Sequence, residues 1–158
     1  MKGENSLIIR ELKSEDLEKY SLAVKELLIE TYINNFRIQD KQAEELCEDK
    51  LSLLAGYIST GSAIVIAAIE MDELIGFTWL YKHYFFGEKR LHVNQIAVNT
   101  RYRGKGIGKK LIQEAENQAI REGIKTIDLF VSEVNQSALN LYDKLGFNTE
   151  RRYMKKEL

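Results

Sequence analysis

The sequence lacks the features that mark secreted and membrane-spanning proteins. Its 158 residues include one cysteine, Cys47, and a single thiol excludes the intramolecular disulfides on which small secreted domains depend. Charged residues interrupt the apolar residues near the N-terminus, and the nearest approach to a membrane span, residues 63–69, is much shorter than the ~20 apolar residues that a span needs. The sequence therefore predicts a cytoplasmic protein with no signal peptide, in which Cys47 is a small buried hydrophobe.

The chain also lacks an excess of charge of either sign. It has 23 lysines and arginines against 24 aspartates and glutamates, which gives a formal net charge of -1. The overall field therefore attracts neither nucleic acid nor an anionic membrane. Proline is absent, and no repeat or low-complexity stretch divides the chain. We expect a single domain over residues 1–158, large enough to bury about two-thirds of its unfolded surface.

The apolar residues follow alternating and helical periods in turn, and they predict the order β α α β β β α β α β. This order indicates an α/β fold with a mixed antiparallel and parallel central sheet flanked by helices. The predicted strands cover residues 7–12, 63–70, 74–81, 91–98 and 124–131, with one or two more in 147–158, and the predicted helices cover 15–32, 40–57, 106–122 and 136–145. We also expect a turn at residues 71–73, a loop over residues 82–90, a break at Asn34 and Asn35, and N-caps at Ser14 and Asp40.

The most informative stretch is a glycine-dense turn, residues 99–108, which we call the glycine turn. It joins the predicted strand 91–98 directly to the predicted helix that follows. Glycines let the backbone turn tightly and let a ligand approach closely, and the first N–H groups of a helix are unpaired and carry partial positive charge. These properties predict a phosphate or pyrophosphate site. The basic residues around the turn are a local cluster in a neutral protein, which suits a small polyanion better than DNA: Arg101, Arg103, Lys105, Lys109 and Lys110.

Spacing excludes one common phosphate-binding loop and disfavours another. Gly104 and Gly108 are separated by three residues rather than the four of a P-loop, and Lys109 is followed by Lys110 instead of a hydroxyl residue that could bind magnesium. The glycines read Gly-x-Gly-x-Gly, whereas a dinucleotide-binding fingerprint requires Gly-x-Gly-x-x-Gly. Asp128 falls about 20 residues farther on, where that fingerprint places an acid, so an NAD-type nucleotide site stays open as the weaker alternative.

Two motifs instead resemble those of the GNAT superfamily of acyltransferases. Residues 101–106, Arg-Tyr-Arg-Gly-Lys-Gly, match its coenzyme A signature, Gln/Arg-x-x-Gly-x-Gly/Ala. About 30 residues later, the segment from Asn135 to Phe147 matches the family pattern Asn-x-x-Ala-x-x-x-Tyr-x-x-x-Gly-Phe at each defined position. The order of elements resembles the GNAT fold over nearly the whole chain. The resemblance implies an N-acetyltransferase that uses acetyl-CoA and no metal. In it, a primary amine attacks acetyl-CoA directly within a ternary complex.

The resemblance also implies roles for individual residues. The backbone amides of the glycine turn would bind the pyrophosphate of coenzyme A, lysines beside it would reach the adenosine phosphate, and the strand before it would pair with the pantetheine chain. Asn135 would contact the coenzyme or act as an N-cap, and Tyr142 would donate a proton to the departing thiolate or pack on its neighbours. The implied coenzyme-binding set is Ile96, Ala97, Val98, Arg103, Gly104, Lys105, Gly106, Ile107, Gly108, Lys109, Asn135 and Tyr142, with Tyr142 also catalytic.

The general base is left open because Asn94 stands where many family members carry glutamate. An amide cannot accept a proton at neutral pH, although it can orient a water. Glu133, Glu70, His92 or a chain of waters are the alternatives, and no residue is placed as an acyl-carrying nucleophile. The absence of this glutamate also leaves open a binding module that senses acyl-CoA without turnover.

The acceptor is also left open by the sequence. Aromatic residues cluster where the family often forms its acceptor wall, and they are equally able to pack in a core or form a homodimer interface: Tyr81, His83, Tyr84, Phe85 and Phe86. The acceptor is therefore expected to be a small-molecule or protein amine, with a possible homodimer and no nucleic acid or membrane partner.

Overall fold

The computed structural model describes residues 6–158, which form one mixed sheet with helices on both faces. The strands are β1 (Ile8–Glu11), β2 (Ile64–Glu70), β3 (Glu73–Phe85), β4 (Glu88–Val98) and β5 (Thr126–Leu129). The helices are α1 (Leu17–Phe36), α2 (Asp40–Ser59), α3 (Ile107–Arg121) and α4 (Gln136–Lys144), with short 3-10 turns at Ser14–Asp16 and Thr100–Tyr102.

Strands follow one another across the sheet in chain order, β1-β2-β3-β4-β5. The first four are antiparallel to their neighbours, whereas β5 is parallel to β4. A parallel neighbour requires a crossover connection, and α3 provides it. The predicted α/β class with a mixed sheet is therefore confirmed.

Each face of the sheet is covered by a separate apolar cluster. On one face, Val24 and Leu28 of α1 and Cys47 of α2 pack with Phe77 of β3. On the other face, Leu111, Ile112 and Ala115 of α3 pack with Ile66, Leu80 and Leu91. Covering both faces explains why β2 is a continuous apolar run instead of an alternating one. Cys47 is fully buried, as predicted, and burial raises the pKa of its thiol.

The expected loop over residues 82–90 is wrong, because β3 and β4 continue through it as a long hairpin. Lys82 pairs with Leu91, and Phe85 pairs with Glu88, so only Phe86 and Gly87 form the turn. Both turn residues have positive φ, 47° and 83°, which is the backbone hand that fits two-residue hairpins. The expected turn at residues 71–73 is confirmed, since Met71 and Asp72 also have positive φ and join β2 to β3.

The expected break at Asn34 and Asn35 is also wrong, since both residues lie inside α1. This helix ends at Phe36, and the next residue, Arg37, is its C-cap in a left-handed conformation at φ 52°. Neither expected N-cap is observed: Ser14 begins a 3-10 turn, and Asp40 is the first residue of α2. The capping carboxylate near Ser14 is that of Asp16, which accepts a hydrogen bond from the Lys13 N–H at 2.8 Å.

The expected closing strand is not formed among residues 147–158. Six of the eleven residues 148–158 are charged, which disfavours a strand buried against the sheet edge, and the apolar side chains of Tyr153 and Met154 are exposed. Side chains hold it instead: Glu150 makes two hydrogen bonds to Arg90, and the guanidinium of Arg151 lies 4.1 Å from the centroid of the Phe85 ring. β5 is likewise shorter than the strand expected at 124–131.

Among residues 6–158, no helix combines the length and the apolar character that crossing a bilayer requires.

Candidate functional site

The glycine turn leads from β4 into α3. Its first amides are used, since those of Arg101, Tyr102 and Arg103 donate within the turn, whereas no backbone carbonyl of the described residues accepts from the amides of residues 104–109. Gly104 and Gly106 have φ of 75° and 78°, and a Cβ at either position would meet no atom within 4 Å. Gly106 is the N-cap of α3, so no side chain caps the helix, and the Lys110 N–H is bonded to its carbonyl at 3.1 Å. The N–H groups of Ile107, Gly108 and Lys109 precede that bond and point out of the helix end. This arrangement is a receptor for an anion.

The basic side chains around this turn fall into two groups, those that already contact other residues and those that form no ion pair. The Arg103 side chain is engaged, since it donates to Glu30 at 2.9 Å and to the Val98 carbonyl at 3.1 Å, and its N–H makes a long bond to Thr100 at 3.4 Å. Lys105 lies over the Tyr102 ring, 5.0 Å from its centroid. By contrast, no carboxylate in the described part of the chain forms an ion pair with Arg101, Lys109 or Lys110. Those three are available to a polyanion.

The end of β4 has a strand neighbour on one side only. The β4–β5 ladder stops at the pair Val93–Leu129, whereas β4 continues beside β3 as far as Val98. We call residues 94–98 of β4 the open edge. It contains Ile96, Ala97 and Val98, whose partners on β3 are Thr78, Phe77 and Gly76. An unpaired edge presents backbone donors and acceptors to an extended ligand, and it runs directly into the glycine turn.

A β-bulge marks the beginning of the open edge. Trp79 pairs with Gln95 and Leu80 pairs with Val93, which leaves Asn94 as the extra residue of β4. Asn94 lines a shallow cavity of about 180 Å³ with Trp79 and Tyr81 of β3 and with Tyr57, Ser62 and Ala63. We call it the Asn94 cavity. It lies on the sheet face that α1 and α2 cover.

α4 brings the second motif beside the first. A Cβ on Gly108 would lie 3.4 Å from Leu141 Cδ2, so this glycine lets α4 pack against the beginning of α3. Tyr142 is buried in the apolar cluster on the α3 face of the sheet, and its ring centroid lies 5.5 Å from that of Phe147. Burial raises the pKa of the Tyr142 hydroxyl to about 12. Within residues 6–158, each side-chain oxygen or nitrogen that is shielded from solvent has a hydrogen-bond partner, whereas the Tyr142 hydroxyl has none. That hydroxyl therefore reaches solvent.

Asn135 serves as the N-cap of α4. Its side-chain oxygen accepts a hydrogen bond from the Ala138 N–H at 3.2 Å, and its amide nitrogen lies 3.4 Å from Asn35 Oδ1 at the end of α1. The capping interpretation is therefore confirmed, while a contact with coenzyme stays a prediction.

The structure also assembles a cluster that the sequence did not reveal. His83, His92 and Asp128 come from three adjacent strands, and we call them the His–Asp cluster. His92 Nδ1 lies 2.8 Å from Asp128 Oδ1, and His83 Nε2 lies 2.9 Å from Asp128 Oδ2. His92 and Asp128 are direct partners in the β4–β5 ladder. Strand register was the missing signal, because these residues lie up to 45 positions apart in the chain.

The aromatic residues expected as one acceptor wall are divided by the hairpin. Tyr81 lines the Asn94 cavity and packs with the rings of His83 and His92. Tyr84 and Phe86 lie near the hairpin tip, where 72% and 91% of their surface is exposed. Phe85 lies between Arg90 and Arg151. The expected wall therefore reduces to Tyr81 and its neighbours.

Known proteins share both the sequence pattern and the fold. The Acetyltransferase (GNAT) family profile matches residues 21–147. A mycothiol acetyltransferase of Corynebacterium efficiens is 33% identical over 83 residues, which are 52% of this chain and 27% of the relative. An uncharacterised N-acetyltransferase of Bacillus subtilis, YhfO, is 28% identical over 123 residues, which are 77% of this chain and 82% of that protein. The chain thus spans about a quarter to a third of the mycothiol acetyltransferases it matches.

A solved structure extends the similarity to three dimensions. The PaiA N-acetyltransferase of Thermoplasma acidophilum, determined in complex with coenzyme A, superposes with a TM-score of 0.77 at 25% identity, covering 92% of this chain and 91% of that one. The family profile covers well over half of the residues, and it includes the glycine turn and the second motif. This chain belongs to the GNAT family of acetyltransferases.

Proposed function

We propose that this protein moves an acetyl group from acetyl-CoA to a primary amine by direct attack in a ternary complex. The observation that carries the proposal is the continuity of the open edge with the glycine turn. An extended chain and a pyrophosphate are the two parts of coenzyme A that need binding, and the edge and the turn offer one receptor for each. We assign the activity to a single domain over residues 1–158.

Named residues fit each part of that co-substrate. The pantetheine chain would pair with Ile96–Val98, and the pyrophosphate would lie against the amides of Gly104, Gly106, Ile107 and Gly108. The Arg103 amide is a weaker candidate, because it already donates to Thr100. Lys109 is the better lysine for the adenosine phosphate, since Lys105 is occupied by the Tyr102 ring. The complex of PaiA with coenzyme A supports the same ligand for this chain.

The transfer requires three proton movements: the acceptor nitrogen loses one proton before attack and a second after the C–N bond forms, and the departing sulfur gains one. The acceptor is an ammonium ion at neutral pH, so it must lose a proton before its lone pair attacks the thioester carbonyl. As the new C–N bond forms, the C–S bond breaks and the electron pair leaves on sulfur. The Tyr142 hydroxyl is the proposed donor to that sulfur. Its pKa of about 12 lies above the ~8.5 of a thiol, so we assign it mainly a hydrogen bond to the developing charge.

A second candidate is a module that binds acyl-CoA without turnover. Asn94 favours it, because an amide replaces the glutamate that many members use as a base. The two candidates agree on coenzyme binding and differ on chemistry, so turnover separates them.

A thermal melt followed by a turnover assay tests the proposal. The protein is melted with acetyl-CoA, coenzyme A, NADH and ATP in parallel. A ligand at 100 times its dissociation constant stabilises a protein by about 2.7 kcal/mol, which is several degrees for a domain of this size. We expect a shift with acetyl-CoA and none with NADH, followed by release of free thiol in the presence of members of an amine panel. Binding without thiol release would favour the sensing module, and a shift with NADH alone would exclude both candidates.

A further inference from the structure

We propose that His92, held by Asp128, is the general base that takes the proton from the acceptor amine. The inference rests on the proposed acetyl transfer, and it names a residue for the step that Asn94 cannot perform. Four observations carry it: the orientation of the ring, the access to its second nitrogen, its place beside the open edge, and the charges around it.

Asp128 fixes the orientation and the tautomer of the His92 ring. The two residues face each other across the β4–β5 ladder, with Nδ1 and Oδ1 2.8 Å apart. A carboxylate only accepts hydrogen bonds, so Nδ1 carries the hydrogen that lies between them. In the neutral ring, Nε2 then holds the lone pair. A carboxylate in this position also stabilises the imidazolium that forms when Nε2 accepts a proton.

The second nitrogen of His92 reaches solvent although the residue is buried. Only 5% of the His92 surface is exposed, and Nε2 makes no hydrogen bond to any of residues 6–158. In that part of the chain, each side-chain nitrogen that is shielded from solvent has a hydrogen-bond partner. Because Nε2 has none, it is open to water or ligand. Nδ1 is thus held by Asp128 and Nε2 is accessible. A histidine that only joined two strands would not need an accessible Nε2.

His92 lies two residues before the open edge. The next residue, Val93, makes the last pair with β5, and Asn94 follows at the bulge. Tyr81 connects His92 to the Asn94 cavity, because it lines that cavity and its ring centroid lies 4.9 Å from that of His92. An amine bound in this cavity would therefore lie beside the first residue of the open edge and one aromatic ring, that of Tyr81, away from His92.

The titratable groups that face His92 come from three strands. β3 supplies His83 and Tyr81, β5 supplies Asp128, and β4 itself supplies Arg90. The Arg90 guanidinium lies 3.5 Å from Asp128, but Glu150 and Glu88 accept its hydrogen bonds at 2.7 to 2.9 Å. Because those two carboxylates balance Arg90, Asp128 is available to the histidines. The same guanidinium disfavours a divalent cation at the His–Asp cluster, since a cation bound there would face it.

The other candidate bases do not share this placement. Glu70 lies at the β2–β3 turn, where it pairs with Glu73, and β3 and β4 separate its strand from β5. Glu133 is an exposed residue between β5 and α4. Neither makes a hydrogen bond that would orient it within the described residues.

The proton balance of the step is simple. Nε2 of His92 takes a proton from the bound ammonium, so that an N–H bond of the amine breaks and a new N–H bond forms on the ring. The amine keeps the electron pair with which it forms the C–N bond. The acylated nitrogen then loses its second proton to water, which balances the proton that the departing sulfur gains. The imidazolium returns its proton to water after each turnover.

The test is the pH dependence of kcat/KM for the wild type and for His92→Gln. At pH 7 we expect His92→Gln to lower kcat/KM by about 10²- to 10⁴-fold, the usual contribution of a general base. The deficit shrinks toward pH 10, because the acceptor increasingly arrives as the free amine. The wild type shows an acidic limb, because only the neutral ring accepts a proton, and the variant loses this limb. The KM for acetyl-CoA stays within about twofold.

Two further variants separate catalysis from packing. His92→Ala leaves a buried space, and we expect added imidazole to restore part of its turnover, which a purely structural defect would not allow. His83→Gln removes a hydrogen bond to Asp128 but keeps the His92–Asp128 contact, so it lowers kcat/KM at pH 7 by less than tenfold. Circular dichroism and the acetyl-CoA melting shift show whether each variant is folded.

The outcomes distinguish the base from the proposed function. If the wild type turns over and His92→Gln follows the same pH profile, the base is overturned while the acetyl transfer stands. If the wild type binds acetyl-CoA but acetylates no amine, the transfer fails and the base fails with it. If dialysis against EDTA abolishes turnover and Zn²⁺ restores it, the His–Asp cluster is a metal site and the base is overturned.

Discussion

Val93 and Leu129 form the last pair between β4 and β5, while β4 continues for five more residues beside β3. This single termination separates the part of β4 that is held on both sides from the open edge. The glycine turn, the bulge at Asn94 and the His–Asp cluster all lie within a few residues of it. The functional proposals therefore depend on one local departure from regular pairing, and the predictions below test the features that border it.

Gly106→Ala is expected to weaken acetyl-CoA binding by about tenfold or more, equivalent to at least 1.4 kcal/mol. The φ of 78° at Gly106 disfavours any other residue by about 1–2 kcal/mol, and the added Cβ would point into the open space before the α3 amides. Gly123→Ala is the matched control, since Gly123 has φ of 68° and equal space at the far end of α3. Calorimetric titration should show weaker binding only for Gly106→Ala, and equal losses would contradict the assignment of the turn.

Tyr142→Phe is expected to lower kcat by about tenfold to a hundredfold and to change the free energy of unfolding by less than about 0.5 kcal/mol. The hydroxyl has no hydrogen-bond partner within residues 6–158, so its loss leaves the packing on Phe147 intact. Its pKa of about 12 keeps it protonated at pH 10, and no alkaline loss of activity below that pH should come from it. Unchanged kcat in a steady-state assay would assign this tyrosine to packing alone.

Gly76→Ala is expected to destabilise the protein by about 1–3 kcal/mol and to weaken acetyl-CoA binding. The new Cβ would lie 3.0 Å from the Ala97 carbonyl oxygen and 3.3 Å from Val98 Cγ2, so the backbone of the open edge must move. Gly56→Ala is the control: it lies exposed inside α2 with no atom within 4 Å of the new Cβ, and it should stabilise by about 0.5–1 kcal/mol. Urea unfolding of both variants measures the difference, and a neutral Gly76→Ala would show that the edge tolerates displacement.

Asp16→Asn is expected to lower the free energy of unfolding by about 1–2 kcal/mol at pH 7, and by much less at pH 2. Hydrogen bonds from the Arg10 guanidinium, at 2.8 and 2.9 Å, lower the pKa of Asp16 to about 2. A carboxyl with a depressed pKa stabilises the fold above its unfolded pKa of about 3.9, and this stabilisation is lost as the pH falls toward 2. Solvent around Arg10 reduces the effect below the full shift. Urea unfolding at both pH values checks it, and an equal loss at each would contradict the ion pair.

The regular elements could be predicted because their apolar periods are clear. β2, α3 and α4 lie close to the expected bounds, and the glycine turn stands where the sequence put it. The β3–β4 hairpin was missed because the aromatic run Tyr84-Phe85-Phe86 has no alternation and Phe86 must adopt positive φ. The expected closing strand was wrong because six of the eleven residues 148–158 are charged. The ion pair of Glu150 with Arg90 and the stacking of Arg151 on Phe85 hold the beginning of this tail instead.

The candidate site divides in the same way. Its coenzyme half follows from contiguous motifs, which a sequence displays directly, and its residues stay predictions until binding is measured. The His–Asp cluster depends on the register of three strands at once, and a shift of one residue in β4 would move His92 to the opposite face. Asp128, which the sequence placed as a possible nucleotide ligand, is instead hydrogen bonded to two histidines.

The agreement between chain order and sheet order also has a consequence for folding. β2, β3 and β4 are joined by two-residue turns, so the meander they form needs only contacts between nearby residues, which close at little entropic cost. By contrast, α1 and α2 separate β1 from its partner β2 in the chain, and α3 separates β5 from its partner β4. We expect the meander to be ordered in the folding transition state and β5 to add late. The open edge would then form before β5 pairs with the preceding part of β4, and mutations in β5 would mainly accelerate unfolding.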